Sequence, residues 1–448
     1  MGLSLLLTLT ENLLMATHPP SSVWTRRALL ATLAGGGAAG WWLQNSAVPA
    51  GPGGKGNSKN QSSRKAPAEA FRGIRSVPAT RTDLRVRLSE QLPVMVDIDA
   101  STRFSLWNSL ENQRLLQHGK PGRHRVTPSG EGLRVGSQNW PCAQLDFVPE
   151  VSPGVGWQGA VYRGRLRVIR VSAHSLMLLN VVPLEDYLAS VVDAEMPAAF
   201  PVAARQAQAI IARSYAWNRQ QMAPRAALFD VFATTRSQRY LGVEYTTAAG
   251  KRWAGESAAS RQIVQHTQGV ICLDQGQPFT TYYSAVCGGQ TVRGTTEFAD
   301  ASPLHQSVPC DWCQAATRYR WTLRIPRETV NRRFRNWRKL AACPAETVQV
   351  RTSHQSDENS AFTIQMGSKK VAVSGQELRS RLGERGIWSP RFSLEITSDG
   401  LLLNGRGHGH GVGLCQWGAQ GQALAGHSAE EILETYYPGV TFGRLSWG

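Results

Sequence analysis

The sequence predicts an α+β fold: a composite, β-rich domain with one central helix and a cleft between subdomains. Three observations predict it. Short segments of alternating polarity, such as 84–88, 94–98 and 166–170, fill the front of the chain between Gly and Asn turns and read as half-buried strands. After Pro201, the residues Ala204, Ala207, Ile210, Ile211, Ser214 and Trp217 recur at helical spacing, and Pro suits a first helical position. Beyond that helix, strand-like stretches (361–365, 392–397) and helix-like ones (327–340, 377–382) interleave without the regular βαβ rhythm of a doubly wound sheet.

Composition narrows the field. The chain has 448 residues, 42% hydrophobic and 18% charged, which excludes a wholly disordered chain and a polytopic membrane protein. Its 49 Lys and Arg against 32 Asp and Glu leave +17, and all but eight of the basic residues are arginine. Such a balance calls for an anionic partner: nucleic acid, anionic lipid or an acidic polymer such as cell wall. The seven cysteines are an odd number, so they cannot all pair within one molecule.

Residues 1–50 read as an export signal. Arg26 and Arg27 precede an apolar run at 28–43, and small residues suited to cleavage follow at 46–50. The string Thr25-Arg26-Arg27-Ala28-Leu29-Leu30 resembles a twin-arginine signal, and the run is shorter than the roughly 20 residues of a spanning helix. An uncleaved anchor is the alternative, and Met15 an alternative start. Residues 51–78 form a linker, since 51–67 has almost no apolar side chain to offset the entropy of ordering. The folded domain is expected over 79–448: a β-rich front at 79–180, a catalytic core at 181–320 and a C-terminal part at 321–448.

Three segments within it carry chemistry. In the first, Glu195-Met196-Pro197 follows an apolar approach (181–194) and precedes the helix. A carboxylate held among apolar neighbours is disposed to act as a general acid, although a helix-start or surface glutamate is the commoner reading of the spacing alone. The second segment, 279–291, runs from a strand containing Tyr283 and Ser284 through Cys287 into the turn Gly288-Gly289, a place for close backbone approach. The third, 405–418, packs Gly405, Gly407, Gly409, Gly411 and Gly413 around His408 and His410. No Gly-Lys-Ser/Thr follows, so it is not a phosphate loop.

Taken together and in this order, the segments resemble the sporulation stage II protein D family, also described as the amidase-enhancer family of bacterial cell-wall proteins. The family's Glu-Met-Pro, Gln-Ala and Ala-Arg-Thr-Tyr-Ala are matched by Glu195-Met196-Pro197, Gln208-Ala209 and Ala212-Arg213-Ser214-Tyr215-Ala216. Its glycine loop is matched by 409–416, and its closing Tyr-Tyr-Pro-Gly by Tyr436-Tyr437-Pro438-Gly439. With weaker echoes, the likeness runs from about residue 80 to the C-terminus.

The resemblance implies a lytic transglycosylase of peptidoglycan glycan strands with Glu195 as its catalytic acid/base, or else a non-catalytic wall-binding enhancer of an amidase. It implies substrate-binding positions at Gln208, Arg213, Tyr215, Tyr283, Ser284, Gly288, Gly289, His410 and Gln416. An ordinary glycosidase needs two carboxylates. A transglycosylase needs one, because the muramic acid's own hydroxyl attacks, so no cofactor is expected for catalysis. The expected partners are peptidoglycan and, in the enhancer reading, an amidase. Nucleic acid is not expected, the membrane only through the signal, and the location is the periplasm or cell envelope.

The chain also departs from the family pattern. Ser284 stands where many members have histidine, so that histidine's role does not carry over. Cys287, Cys310 and Cys313 offer three ligands for the structural zinc that some members hold, with His305 and Cys272 as candidates for the fourth; a disulfide among these cysteines is the alternative. Cys415 takes a position usually held by Ser and reads as a packed thiol rather than a nucleophile paired with His410. The basic, aromatic-bearing stretch 332–339 reads as a solvated helix face rather than a nucleic-acid contact.

Overall fold

The computed structural model describes residues 71, 73–335, 348–355, 360–366, 369–383 and 385–447. The expected export signal, most of the expected linker, and part of the basic stretch at 332–339 lie outside these residues. The architecture is α+β and β-rich, as expected. It divides into two compact units, one comprising the chain up to Ala199, Ala212–Ile271 and Gly443 onward, the other Phe200–Ile211 and Cys272–Phe442.

The first unit is built on two sheets packed face to face. One runs, in spatial order, Val231–Phe232, Asp83–Arg87, Ser175–Pro183, Arg165–Ser172, Gln144–Pro149, Phe104–Asn108 and Gln113–Gly119. The other runs Arg252–Ala254, Glu244–Thr246, Ala160–Tyr162, Val155–Trp157, Val96–Ala100, Gly122–Ser129, Gly132–Val135 and Gln138–Trp140. Alternation dictates which side chains face inward: Val96, Ile98 and Ala100 are buried while Asp97 and Asp99 between them are not. Phe104 of the first sheet meets His124 of the second edge-on, ring centroids 4.7 Å apart.

A further strand, Arg75–Ala79, pairs in parallel with the C-terminal strand Gly443–Trp447, from Arg75 opposite Gly443 to Ala79 opposite Trp447. Most of that first strand falls in the stretch read as linker. Its order comes from a partner at the other end of the chain, which local composition does not disclose.

Strand Ser175–Pro183 feeds directly into helix α1 (Leu184–Glu195). Leu184, Tyr187, Leu188, Val191 and Val192 bury one face of α1 against the sheet, with acidic Glu185 and Asp186 in the first turn, where the helix dipole favours them. Helix α2 (Val202–Met222) follows and is buried almost all round, including Arg205, Gln206, Gln208, Arg213, Ser214, Asn218 and Gln220. The periodic apolar residues located this helix in the sequence; its buried polar residues are an addition that periodicity does not predict.

In the second unit, Arg320–Pro326, Gly400–Arg406 and Phe392–Thr397 form one antiparallel sheet and Val348–Gln355, Ser360–Met366 and Lys369–Ser374 another. Their core gathers Trp321, Phe334, Phe362, Phe392 and Leu403, with helices Arg327–Arg335 and Gly375–Leu382 packed on it. The helix expected at 327–340 is present as far as Arg335, and residues 336–340 lie outside those described. Among the described residues, no helix is long and apolar enough to cross a membrane.

Candidate functional site

Glu195 is the last residue of α1, and the helix stops there for a local reason. Pro197 drives the residue before it out of helical geometry; Met196 accordingly sits at φ −127°, ψ 136°, while its N–H still donates to Val192 O at 3.0 Å. Met196 itself is buried, which anchors the turn. The half-buried Glu195 carboxylate accepts a hydrogen bond from the backbone N–H of Arg239 at 2.8 Å. A donor of this kind orients the carboxylate. No motif marks Arg239, because its contribution is backbone and independent of its side chain.

The motif helix α2 resolves into different roles. Arg213 is fully buried and forks onto Glu185, Nε to Oε1 and Nη2 to Oε2, both at 2.8 Å, while Nη1 donates to Val270 O at 3.1 Å. Expected to bind substrate, it instead ties α1 to α2 inside the first unit, because its guanidinium is enclosed and its fork is already matched to a carboxylate. Tyr215 is likewise buried, with Arg219 over its ring. Gln208 belongs to the second unit, where its Oε1 accepts from Gln416 Nε2 at 3.2 Å. Its own Nε2 is buried and has no partner among the described residues.

Also in the second unit, Tyr283–Ser284 pairs in parallel with Leu414–Cys415, joining the second and third motif segments as one short ribbon. Ser284 Oγ, like Gln208 Nε2, is buried without a partner among the described residues. Among the expected substrate-binding side chains, these two retain unmatched polar atoms. The glycines are required by close approach. A Cβ on Gly413, at φ 68°, would lie 2.0 Å from Tyr282 O, and one on Gly288, at φ 71°, would lie 2.8 Å from Gly407 N. The neighbouring Gly289 has φ 110°, with Tyr319 Oη on its open side. His410 accepts from Val412 N–H at its Nδ1 (3.1 Å) and packs its ring edge-on against Phe298 and Tyr282. Burial pushes its pKa down to about 4, so it stands in the loop as a neutral, locked imidazole.

The cysteines converge more completely than expected. The Sγ atoms of Cys287, Cys310, Cys313 and Cys415 all lie within 4.8 Å of one another, and all four residues are buried. Cys287 follows the Tyr283–Ser284 ribbon, Cys310 and Cys313 bracket the 3₁₀ turn Asp311–Cys313, and Cys415 caps the helix Gln416–Leu424, where its Sγ accepts from Gly418 N–H at 3.3 Å. Cys287 N–H also donates to Cys415 Sγ, at 3.2 Å. The fourth thiol is therefore Cys415, read from the sequence as a packed thiol. His305 instead packs against Phe279, Tyr282 and Tyr437, and Cys272 lies in strand Val270–Asp274. Neither joins the group.

No disulfide links the six described cysteines, and Cys287 and Cys313 approach to 3.6 Å, a non-bonded distance. A tetrahedral ion with Zn–S bonds of about 2.3 Å sets its sulfurs roughly 3.8 Å apart. The geometry fits one ion, and four thiolates are the donor set of a closed structural site. Hydrogen bonds from Cys287 hold Cys310 and Cys313 below the usual thiol range; a hydrogen bond to Cys310 pushes Cys287 above it, and burial does the same to Cys415. Buried Arg391 donates to Cys287 O at 2.6 Å and Gln290 O at 3.0 Å, placing a cation beside the sulfurs. Nothing in its local sequence marked it.

A sequence model of the family described as Stage II sporulation protein matches residues 172–273, the stretch holding α1, Glu195 and α2. Over 294 residues the chain is 31% identical to an uncharacterised protein of Brachyspira hyodysenteriae, covering 66% of this chain and 75% of that protein. It is 27% identical over 267 residues to the stage II sporulation protein D of Bacillus subtilis, covering 58% and 74% respectively. It is 23% identical over 308 residues to the amidase enhancer of the same organism, covering 57% of this chain but 40% of that protein. The chain belongs to the stage II sporulation protein D family.

Proposed function

We propose that this protein is an exported, envelope-associated peptidoglycan-remodelling enzyme, a lytic transglycosylase that acts through Glu195 alone. The observation that carries the reading is the placement of Glu195: a half-buried carboxylate at a helix end fixed by Met196-Pro197 and oriented by the Arg239 N–H. In the reaction, protonated Glu195 gives its proton to the glycosidic oxygen as the bond to the muramic acid's anomeric carbon breaks. The resulting carboxylate takes the proton of that sugar's own hydroxyl as its oxygen closes onto the same carbon. The product is an anhydro-muramyl end and a free leaving sugar; water is not consumed. Within the second unit, Gln208 and Ser284 are assigned as polar contacts for a sugar chain, since their buried Nε2 and Oγ have no partner among the described residues. The four-thiol cluster is assigned a structural zinc, which would pin three distant segments of the second unit and take no part in the bond cleavage.

The test is digestion of purified peptidoglycan by the wild type and by Glu195→Gln, with anhydro-muramyl ends counted by mass spectrometry. Wild type alone should produce them; their absence from the wild-type digest would sink the enzymatic reading. A second reading rests on the similarity to an amidase enhancer. In that reading the protein cleaves nothing and raises the rate of an added amidase equally well with or without Glu195.

A further inference from the structure

Away from the motif segments, four arginines of the first unit converge on one surface pocket of about 430 Å³, lined by Arg81, Arg85, Arg165 and Arg167 with Asp83 beside them. Two buried carboxylates hold these arginines from below. Asp230 accepts from Arg81 Nη2 (3.1 Å), Arg85 Nη2 (2.7 Å) and the Arg85 backbone N–H (2.8 Å). Asp146 accepts from Arg165 Nε (2.9 Å) and Arg167 Nε (2.6 Å), and Asp83 accepts from Arg165 Nη1 (2.9 Å). The entry loop is fixed as well, since Gln220 Nε2 donates to Asp83 O and Leu184 N–H to Thr82 O. The guanidinium planes are thus set before any ligand arrives.

Two counts show what the pocket lacks. Four cations face three carboxylates, leaving one positive charge unmatched. In addition, Arg81 Nε and Nη1, Arg165 Nη2 and Arg167 Nη1 donate to nothing among the described residues. Fixed planar donors with a single uncompensated charge suit a two-oxygen monoanion. Asp83, whose side chain is one-third exposed at the rim, disfavours a dianion.

We propose that this pocket is a carboxylate-binding subsite, and, resting on the peptidoglycan reading above, that it takes a free carboxylate of the wall's peptide stems. Such a subsite holds the wall by a group that takes no part in the bond cleavage. Wall phosphodiesters are a competing class of anion, which one arm of the experiment removes.

The experiment sediments the full chain with insoluble peptidoglycan in three forms: untreated, with stem carboxylates amidated by carbodiimide coupling, and stripped of phosphate polymers by hydrofluoric acid. Wild type should bind the amidated form roughly tenfold more weakly and the stripped form unchanged. Arg81→Gln should bind untreated wall as weakly as wild type binds amidated wall, and lose nothing further on amidation. It should stay folded, because the Arg81 side chain is 41% exposed and Arg85 still holds Asp230. Should it melt early, Arg81→Lys, which keeps the charge without the fork, carries the same comparison with an intermediate loss. Arg123→Gln makes the same change in net charge at an exposed strand and should retain the full sensitivity.

Equal losses on amidation for Arg81→Gln and wild type, an equal effect of Arg123→Gln, or a loss confined to stripped wall would each overturn the proposal. Binding needs no cleavage, so the two readings fail separately. A protein that makes no anhydro ends yet binds through carboxylates sinks only the transglycosylase; an enzyme that cleaves but ignores amidation sinks only the pocket.

Discussion

Glu195 and the four-thiol cluster are built in opposite ways. The carboxylate is placed by its immediate neighbours, a helix that ends because Pro197 follows Met196, and it remains partly open. The thiols come from three segments between Cys287 and Cys415 and are fully enclosed. A reactive group can be set by local chain geometry and left accessible. A group that holds distant segments together must instead be assembled by the fold and sealed, and it follows that the two should respond differently to substitution.

The largest expected effect lies at the sealed site. Structural zinc sites contribute about 10 to 16 kcal/mol of apparent binding free energy in small domains, and that energy depends on all four ligands. Cys415→Ser should therefore drop metal content from one zinc per chain to near none after dialysis, with a lowered melting temperature. Cys272→Ser, outside the cluster, should keep its zinc. Elemental analysis of both variants decides the ligand set, and equal zinc in the two would remove Cys415 from it.

That contrast also explains what could be read in advance. Helix α2 and strand Phe392–Thr397 were legible because Pro201 and alternating polarity act on their own neighbours, whereas the apolar approach to Glu195 read equally as strand or helix and is helix α1. Cys415 was not, because its partners are brought to it only by the pairing of Ser284 with Cys415 and by the turn that carries Cys310 and Cys313. Strand Arg75–Ala79 escaped for the same reason, its partner being the last strand of the chain. Arg213 was located correctly in its motif, yet its role depended on Glu185, whose position in the first turn of another helix no spacing rule supplies.

The Arg213–Glu185 pair offers the next largest effect and the equivalent of the thiol cluster within the first unit. Arg213→Met fills a similar volume but takes the matched cation from Glu185, leaving it the Gly269 N–H (3.2 Å), and removes the Arg213 donor from the Val270 carbonyl. Removing one partner of a buried pair costs about 3 to 5 kcal/mol, and Glu185's partial exposure places the change near the lower figure. A urea titration measures it; a change under about 1 kcal/mol would return Arg213 to the list of available substrate contacts.

Acid should expose a smaller difference, located in the second unit. Burial holds buried His305 down at about 4, against about 6.5 unfolded. Between those values the unfolded chain binds more protons, so stability falls as pH drops through 6.5 toward 4. Glu297 works the other way: burial raises it to about 7, so its contribution is full below about 4.5 and is lost as pH rises through 7. His305→Gln leaves Glu297 in place and isolates the histidine. Between pH 7 and 5 the variant should lose about 2 kcal/mol less stability than the wild type, both zinc-loaded, by urea midpoints. Parallel losses would mean that His305 is protonated in the folded protein.

The smallest change in stability is expected where the loss of activity is greatest. In Glu195→Gln the amide oxygen can still accept from the Arg239 N–H, and the half-buried site admits the neutral side chain without creating a cavity. Stability should move by less than about 1 kcal/mol, in the range of substitutions that disturb no packing. Proton transfer has no such substitute, since the amide can neither give the glycosidic oxygen its proton nor take one from the attacking hydroxyl. Loss of a positioned acid/base lowers rates by about 10² to 10⁴. Melting curves and anhydro-end counts on one preparation test both halves at once. A variant that melts like the wild type but makes no product fits a locally placed reactive group, whereas one that unfolds would put Glu195 with Arg213 in the scaffold.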